Sequence, residues 1–295
     1  MEHGGPTAHR PSILATVGRW LLVAAGLILA FVAYQQWGTA IRHAQAQHSL
    51  RSQFDQAAAA VGTARARGAA VAVSYPAVGG PVGVLVIPKI TLDQVIVEGV
   101  GSAQLAEGPG HYPDTPLPGQ PGNAAIAGHR TTHGAPFYSL DRLVPGDPIT
   151  VTTVQGRFVY RVARSFVVAP DDTVVLAPST TPELTLTTCN PKYSAAQRLI
   201  VVAVLVTPAA PRTPRPDTGT ADEVAPDPTR DLATWLGLAA ATVGLVALYL
   251  GVRVVRRRAA GRWSARVAPW AAAAVGVVVL LVAFGALDAL LPASF

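Results

Sequence analysis

The sequence predicts an all-β domain, a small closed barrel of roughly seven or eight short strands, with one transmembrane helix before it and two after it. Three observations favour this architecture. Short β-type runs separated by glycine and proline turns fill residues 83–207. Long apolar stretches stand at both ends of the chain. Half of the 295 residues are hydrophobic and the mean hydropathy is +0.35, which is too apolar for an ordinary soluble enzyme.

The amino-terminal region, residues 1–38, is predicted to be a cytoplasmic tail followed by a signal anchor. Counted from Ile13 to Tyr34, its apolar run is long enough to cross a bilayer, which takes about 20 helical residues. A cleaved signal peptide is the rival interpretation. Residues 35–37 offer no clear small-residue cleavage site, so an uncleaved anchor is favoured.

Residues 39–82 are predicted to form a membrane-proximal helix and a linker. Residues 40–72 are rich in Ala, Gln and Arg, which favour helix, but they show no sustained apolar stripe. The helix is expected to give way to the linker near Gly68, ahead of the barrel.

The barrel is predicted from its strand and turn signals. Strands are expected at 84–87 and 94–97, and the Gly- and Pro-rich stretch 105–121 is expected to be irregular. After a short helix at 137–143 comes a hairpin turned at Gln155-Gly156, then a capped helical turn that starts at Asp171. Two further strands, at 183–188 and 199–206, complete the barrel.

The carboxyl-terminal third combines a polar tether with two apolar stretches. Residues 208–231, rich in Pro and Thr, are predicted to be a disordered tether, and two spans are predicted at 232–252 and 267–291 within the membrane region 232–295. An arginine cluster lies between the spans (Arg253, Arg256, Arg257, Arg258, Arg262 and Arg266).

The positive-inside rule places this cluster and the amino terminus in the cytoplasm, so the barrel should face outside. We therefore interpret the net charge of +6 and the pI of 9.9 as membrane topology, and no nucleic-acid partner is predicted.

One residue stands out as a candidate nucleophile. Cys189 is the only cysteine, so it can form no intrachain disulfide. It follows a β-type run and precedes the turn signal Asn190-Pro191, with Arg198 at the start of the next strand. A lone cysteine is more commonly a buried core residue. Its position at the end of a strand, on a rigid frame, favours the nucleophile instead.

A proton partner for the thiol is offered by His129, which follows the short apolar run 123–127. The run TLTTC-NP with a downstream arginine, and the upstream PGN-x-x-IAGHR-TT-x-G, resemble the sortases, the cysteine transpeptidases of the Gram-positive cell surface. NAAIAGHRTTHGAPFYSLDRLVPGD and LTLTTCNPKYSAAQRLIV are typical of the actinobacterial class E group. The resemblance extends over residues 82–206.

The resemblance implies a sortase-type barrel with Cys189 as nucleophile, His129 as general acid/base and Arg198 as the third catalytic residue. The guanidinium of an arginine presents donors in a fixed fork suited to an oxyanion. Candidate substrate-binding residues are Thr187, Thr188, Asn190 and Tyr112. His111 could also line the substrate groove, whereas His133 is interpreted as a loop residue. Neither a cofactor nor a metal site is predicted.

The implied reaction is cleavage of an LAXTG- or LPXTG-like sorting signal between Thr and Gly through a thioester. The expected partners are secreted proteins with carboxyl-terminal sorting signals, a peptidoglycan precursor such as lipid II as amine acceptor, and the membrane. Two alternatives stay open. One is a pilus-assembling sortase with a pilin lysine as acceptor, and the other is a catalytically silent surface binding module. The two carboxyl-terminal spans depart from the usual single-span class E pattern.

Overall fold

A computed structural model describes residues 39–69 and 73–215, with isolated positions elsewhere (25–27, 29–30, 34 and 283). Its central feature is a closed barrel of eight strands, in agreement with the seven or eight that the sequence predicts. Around the barrel the strands follow the order β1-β2-β3-β4-β7-β8-β6-β5, and β5 returns to pair with β1. The strands are β1 (Pro81–Ile87), β2 (Leu92–Glu98), β3 (Gly110–His111), β4 (Asn123–Ala127), β5 (Pro148–Thr153), β6 (Gly156–Val168), β7 (Glu183–Asn190) and β8 (Gln197–Leu205).

Helices are few in the described residues. α1 (Thr39–Ala66) precedes the barrel, and α2 (Ser102–Glu107) lies between β2 and β3. Three short 3-10 turns lie in the connections between strands, at Pro88–Ile90, Leu140–Arg142 and Thr173–Leu176. The last of these is capped by Asp172, whose carboxylate accepts a hydrogen bond from Val174 N–H at 3.1 Å, as the sequence predicts for this turn.

The pairing of three strands positions the site. β4 and β7 run parallel, whereas β7 and β8 are antiparallel with eight consecutive residue pairs. All five residues of β4 are buried, and β7 is buried from Leu184 to Cys189. These strands therefore form the most deeply enclosed wall of the barrel, and side chains at their ends are held on a rigid frame.

One large apolar cluster fills the interior of the barrel. Its largest fully buried members include Tyr160, Phe137, Leu85 and Ile126. Alternation along β5, where Ile149, Val151 and Thr153 are buried and the intervening residues are half-buried, shows the period of two expected for a strand with one face inward. Burial of this apolar surface is the main force that closes the barrel.

α1 is packed against the barrel and is not a free linker. Leu50 and Phe54 form a second apolar cluster with Val84, Val95 and Val97. The helix expected to begin near residue 40 and to give way to a linker near Gly68 is observed as α1, which ends at Ala66, and it has a buried face that the sequence analysis did not find.

Two connections differ from the sequence expectations. The stretch 105–121 is not wholly irregular, because it holds the end of α2 and the two-residue strand β3. Residues 208–215, expected as the beginning of a disordered tether, lie against the barrel. Ala210 N–H donates to Gly119 O at 2.8 Å, and Arg215 donates to Asp114 at 2.7 Å. These contacts need barrel partners that are distant in sequence, so local composition could not reveal them.

The membrane segments predicted at 13–34, 232–252 and 267–291, the arginine cluster and residues 216–231 of the tether fall almost entirely outside the described residues. Within the part of the chain that the structure describes, no helix combines the length and apolar character needed to cross a bilayer.

Candidate active site

The three residues predicted to be catalytic converge at the end of β7. Ala127 of β4 lies opposite Thr187 of β7 in a parallel pair. Both chains continue in the same direction, so His129 and Cys189, each two residues further on, come close together. On the other side of β7, Cys189 is the direct partner of Arg198 on β8. Residues directly opposite on neighbouring strands present their side chains on the same face.

A cavity of about 240 Å³ lies at this edge of the barrel. It is lined by residues 129–132 after β4, by Cys189 and by residues 193–195 between β7 and β8. His129 and Cys189 are each only 7% exposed, so the two groups face a common space while most of their surface is shielded from water. Such shielding strengthens electrostatic interactions within the site.

Burial is the largest influence on the thiol and raises the pKa of Cys189 above its usual value. The positive charges of Arg198 and Arg130 act in the opposite direction and lower the pKa of this thiol. The thiol is therefore mainly protonated at neutral pH, and the two arginines limit how far burial suppresses the reactive thiolate.

Arg198 is half-buried and holds the β7–β8 connection. Its Nη1 donates to the carbonyl oxygens of Ala195 at 3.1 Å and Gln197 at 3.2 Å. Its charge also lowers the pKa of Tyr112, a half-buried phenol whose pKa is raised mainly by burial. The guanidinium thus influences the thiol on one side and a residue of the 112–121 loop on the other.

Arg130, to which the sequence analysis assigned no role, joins the histidine loop to the nucleophile strand. Its side chain is 3% exposed, and Nη1 donates to Cys189 O at 3.0 Å and to Asn190 Oδ1 at 3.3 Å. Nη2 lies 3.3 Å from Asp141 Oδ1. The only sequence signal for this role is that the residue follows His129 directly, since its partners lie about 60 residues further along the chain.

The two threonines before Cys189 are buried and hold the backbone of the histidine loop. Thr188 Oγ1 donates to Gly128 O at 2.7 Å, and Gly128 N–H donates to Thr187 O at 3.1 Å. A Cβ on Gly128 would overlap the ring of Phe137, so only glycine allows this close approach. A direct contact of either threonine with substrate stays a prediction.

Asn190 ends β7 and directly follows Cys189, which lines the cavity. Its Oδ1 accepts from Arg130, and its Nδ2 donates to Gln197 Oε1 at 3.3 Å. The peptide bond between Asn190 and Pro191 is cis. The side chain therefore links the histidine loop to the first residue of β8.

The loop that carries Tyr112 is anchored by a buried contact between His111 and Glu98. His111, which the sequence suggested as a groove residue, is fully buried, and its Nδ1 lies 2.8 Å from Glu98 Oε2. Thr115 Oγ1 donates to Tyr112 O at 2.8 Å, which fixes the chain immediately after this pair. The buried His111 thus supports the loop from below, while the charge of Arg198 acts on Tyr112.

Comparison with known proteins identifies the family of the chain. A sortase domain profile matches residues 85–206. Sortase D of Bacillus subtilis is 35% identical over 136 residues, which cover 45% of this chain and 67% of that protein. The chain belongs to the sortase family. Sortases are cysteine transpeptidases, which is the enzyme class that the sequence predicts.

Sortases of the E type are also among its relatives, as the sequence motifs predict. Sortase SrtE1 of Streptomyces coelicolor is 35% identical over 207 residues, or 64% of this chain, and the match spans 56% of the relative's length. A crystal structure of sortase E1 from the same organism, with a tripeptide in the active site, is 33% identical and covers 50% of this chain and 98% of its own, with a TM-score of 0.42.

The described residues of the chain contain no candidate metal site. Among the described residues, no group of three or more His, Cys, Asp or Glu side chains is arranged to hold a metal ion.

Proposed function

We propose that the chain is a membrane-anchored transpeptidase that cleaves an LAXTG- or LPXTG-like sorting signal between Thr and Gly and joins the protein to a cell-wall amine. The observation that carries this proposal is the meeting of Cys189, His129 and Arg198 at the end of β7. The relatives named as sortases support it.

In the first half-reaction, the Cys189 thiolate attacks the carbonyl carbon of the threonine in the sorting signal. The carbonyl oxygen becomes an oxyanion, which the guanidinium of Arg198 stabilises. The carbon–nitrogen bond to glycine then breaks, and protonated His129 gives its proton to the departing amine. The product is a thioester between Cys189 and the amino-terminal part of the substrate.

In the second half-reaction, the amine of a peptidoglycan precursor such as lipid II attacks the thioester. Neutral His129 takes the proton from the incoming nitrogen, and Arg198 stabilises the second oxyanion. Collapse of this intermediate forms the new amide and returns Cys189 as a thiolate. The cycle consumes one amide bond, forms another and needs no oxidant or reductant.

The decisive experiment is turnover of a labelled peptide panel by the full-length chain in detergent. With hydroxylamine as acceptor, the wild-type chain should convert LAXTG or LPXTG peptides to hydroxamates, and the Cys189→Ala variant should not. Peptide binding without any hydroxamate would identify the silent binding module. Preference for a pilin lysine over a lipid II amine would identify the pilus-assembling alternative.

We also propose that the barrel lies outside the cytoplasm, with the arginine cluster inside. The asymmetric distribution of arginine supports this topology. In a Cys189→Ala background, Thr220→Cys should react with an impermeant maleimide on intact cells and Ala260→Cys should not. The reverse labelling pattern would place the site away from its wall substrate and overturn the topology.

A further inference from the structure

The first turn of α1 contacts the loop that carries His129. Thr39 is fully buried and His43 is 4% exposed, although both are polar residues at the start of a surface helix. The backbone N–H of His133 donates to Thr39 Oγ1 at 3.4 Å. A Cβ on Gly134 would overlap the ring of His43. The helix and the loop are therefore packed directly against each other.

The contacted residues form a bend with unusual backbone angles. His133 has a φ of 50° and Gly134 has a φ of 73°, so both lie in the left-handed region. This conformation is uncommon for residues with a side chain and requires support from the surrounding structure. The packing of α1 against Gly134 supplies support at this position.

The consequence of the bend is a stack of two imidazole rings. The ring centroids of His133 and His129 are 4.7 Å apart, and the rings are inclined by 26°. His133 therefore covers one face of the imidazole that transfers protons in the proposed reaction. A ring held in this way restricts the side-chain rotation of its neighbour.

α1 is fixed to the barrel independently of this loop. The Gln47 amide donates to Val95 O at 3.0 Å and to Glu107 O at 2.9 Å, and its Oε1 accepts from Val95 N–H at 2.7 Å. Further along the helix, Leu50 and Phe54 are buried in the second apolar cluster. The position of the helix, and therefore of Thr39 and His43, is thus fixed by contacts that do not involve the loop.

We propose that His133 is a positioning residue, held by Thr39 and His43 of α1, that keeps the imidazole of His129 oriented for proton transfer. The membrane-proximal helix is then a structural part of the active site. This inference rests on the proposed role of His129. A general acid must lie within hydrogen-bond reach of the amine it protonates, and a displacement of 1 Å can cost roughly 100-fold in rate.

The test uses steady-state kinetics of the full-length chain in detergent with an LAXTG peptide. His133→Ala should lower kcat by about tenfold and leave KM within about twofold, since proton transfer is impaired and peptide binding is not. His133→Tyr retains a ring over His129 and should stay within about threefold of wild type. His43→Ala should lower kcat in the same direction as His133→Ala. The matched control is His48→Ala, an exposed histidine on the same helix, which should leave kcat unchanged.

A second readout does not depend on activity. In a chain labelled with ¹³C at histidine Cε1, the signal of His129, assigned by its absence in His129→Asn, should shift in His133→Ala because the ring current of the stack is lost. It should not shift in His48→Ala. Thermal unfolding of each variant identifies loss of fold.

Three results would decide against the inference. Wild-type kcat in His133→Ala would show that the stack is not needed, and an equal loss in His133→Tyr would show that the ring is not the cause. An unmoved His129 signal in His133→Ala would show that the rings do not stack. If the wild-type chain turns over no peptide, the proposed function fails, and the His129 signal alone still decides whether His133 positions this ring.

Discussion

The two sides of the active site are built in different ways. Cys189 and Arg198 lie on neighbouring strands joined by eight consecutive residue pairs. His129 lies two residues beyond the end of β4, in a loop. The thiol and the guanidinium are therefore positioned by the sheet, whereas the imidazole has no strand of its own.

Other parts of the molecule hold the imidazole. The loop backbone is bonded to Thr188 and to Phe137, whose N–H donates to His129 O at 3.1 Å. Arg130 ties the loop to β7, and α1 packs on its far end. The difference teaches that the orientation of the imidazole depends on contacts from several parts of the chain, whereas the position of the thiol depends mainly on the pairing of β7 with β8.

The largest effect is expected on the sheet side. Cys189→Ala removes the only nucleophile, so transpeptidation should fall to background in the hydroxylamine assay. Its thermal midpoint should stay within about 5 °C of wild type, because the change removes one sulfur atom at the edge of a cavity. Near-full activity in this variant would end the enzyme hypothesis.

The second-largest effect is expected on the loop side of the site, at His129 itself. His129→Ala should lower kcat/KM roughly 100- to 10,000-fold, which is the typical contribution of general acid–base catalysis. Alkylation of Cys189 by iodoacetamide at high pH should remain, because the thiol is held by β7 and not by the imidazole. Loss of alkylation as well as of turnover in His129→Ala would show that the thiol and the imidazole are not positioned independently.

Arg198→Lys tests whether the sheet side depends on geometry as well as charge. Lysine keeps the positive charge but cannot present two parallel N–H groups, and the loss of one oxyanion donor typically costs roughly 100- to 1,000-fold in turnover. Peptide turnover should fall by that amount while thiol alkylation is retained. Turnover within about threefold of wild type would make the fork geometry irrelevant.

Arg130→Met tests the electrostatic link between the two sides. Arg130 lowers the pKa of the Cys189 thiol, so removing its charge should raise that pKa further. The pH profile of alkylation, already displaced above the usual cysteine pKa of about 8.5 by burial, should move to higher pH. Arg51→Met, at an exposed arginine of α1 paired with Asp93, is the matched control and should not shift the profile. An unchanged profile in Arg130→Met would remove Arg130 from the electrostatics of the site.

The smallest expected effect tests whether the hydrogen bond from Thr188 to Gly128 holds the histidine loop or only stabilises the fold. Thr188→Val leaves the buried Gly128 carbonyl without its 2.7 Å side-chain hydrogen bond and should cost about 1–3 kcal/mol in the free energy of unfolding. Thr185→Val, whose hydroxyl donates to Asn123 Oδ1 at 2.7 Å, should cost a similar amount. Denaturant unfolding gives both values. Turnover should fall several-fold only in Thr188→Val, and equal turnover in the two variants would contradict a role in holding His129.

The sequence predicted those features whose signals are local. The hairpin of β5 and β6 and the strands that carry Cys189 and Arg198 follow from short β-type runs between turn residues. The nucleophile strand extends through Asn190, so Cys189 lies within β7 and not just after it. The eight-stranded barrel and the sortase family are both confirmed.

The buried face of α1 escaped sequence analysis for a physical reason. The buried residues Thr39, His43, Leu50 and Phe54, with the half-buried Gln47 between them, follow the spacing of three and four residues that marks one face of a helix. Thr39, His43 and Gln47 are polar, so a search for an apolar stripe does not find them. Thr39 Oγ1 accepts from the histidine loop, Gln47 bonds to β2 and α2, and His43 Nδ1 lies 3.3 Å from Ala106 O of α2. These partners become neighbours only after folding.

The same limit applies to groups that support the site from within. Glu98 and His111 form a fully buried pair, which composition alone would assign to the surface. Arg130 was visible in the GHR motif, but its bond to the Cys189 carbonyl requires the parallel pairing of β4 with β7. Sequence patterns show which residues can react, whereas these supporting contacts depend on the tertiary fold.

The chain enters and leaves the barrel at one place. The hydroxyl of Tyr75, ahead of β1, donates to Pro113 O at 3.2 Å, and Arg215, beyond β8, donates to the same oxygen at 2.8 Å. The Arg215 guanidinium also lies 5.9 Å from the centroid of the Tyr75 ring. A pulling force applied between Tyr75 and Arg215 would therefore load this clasp before the strand ladders at the catalytic edge.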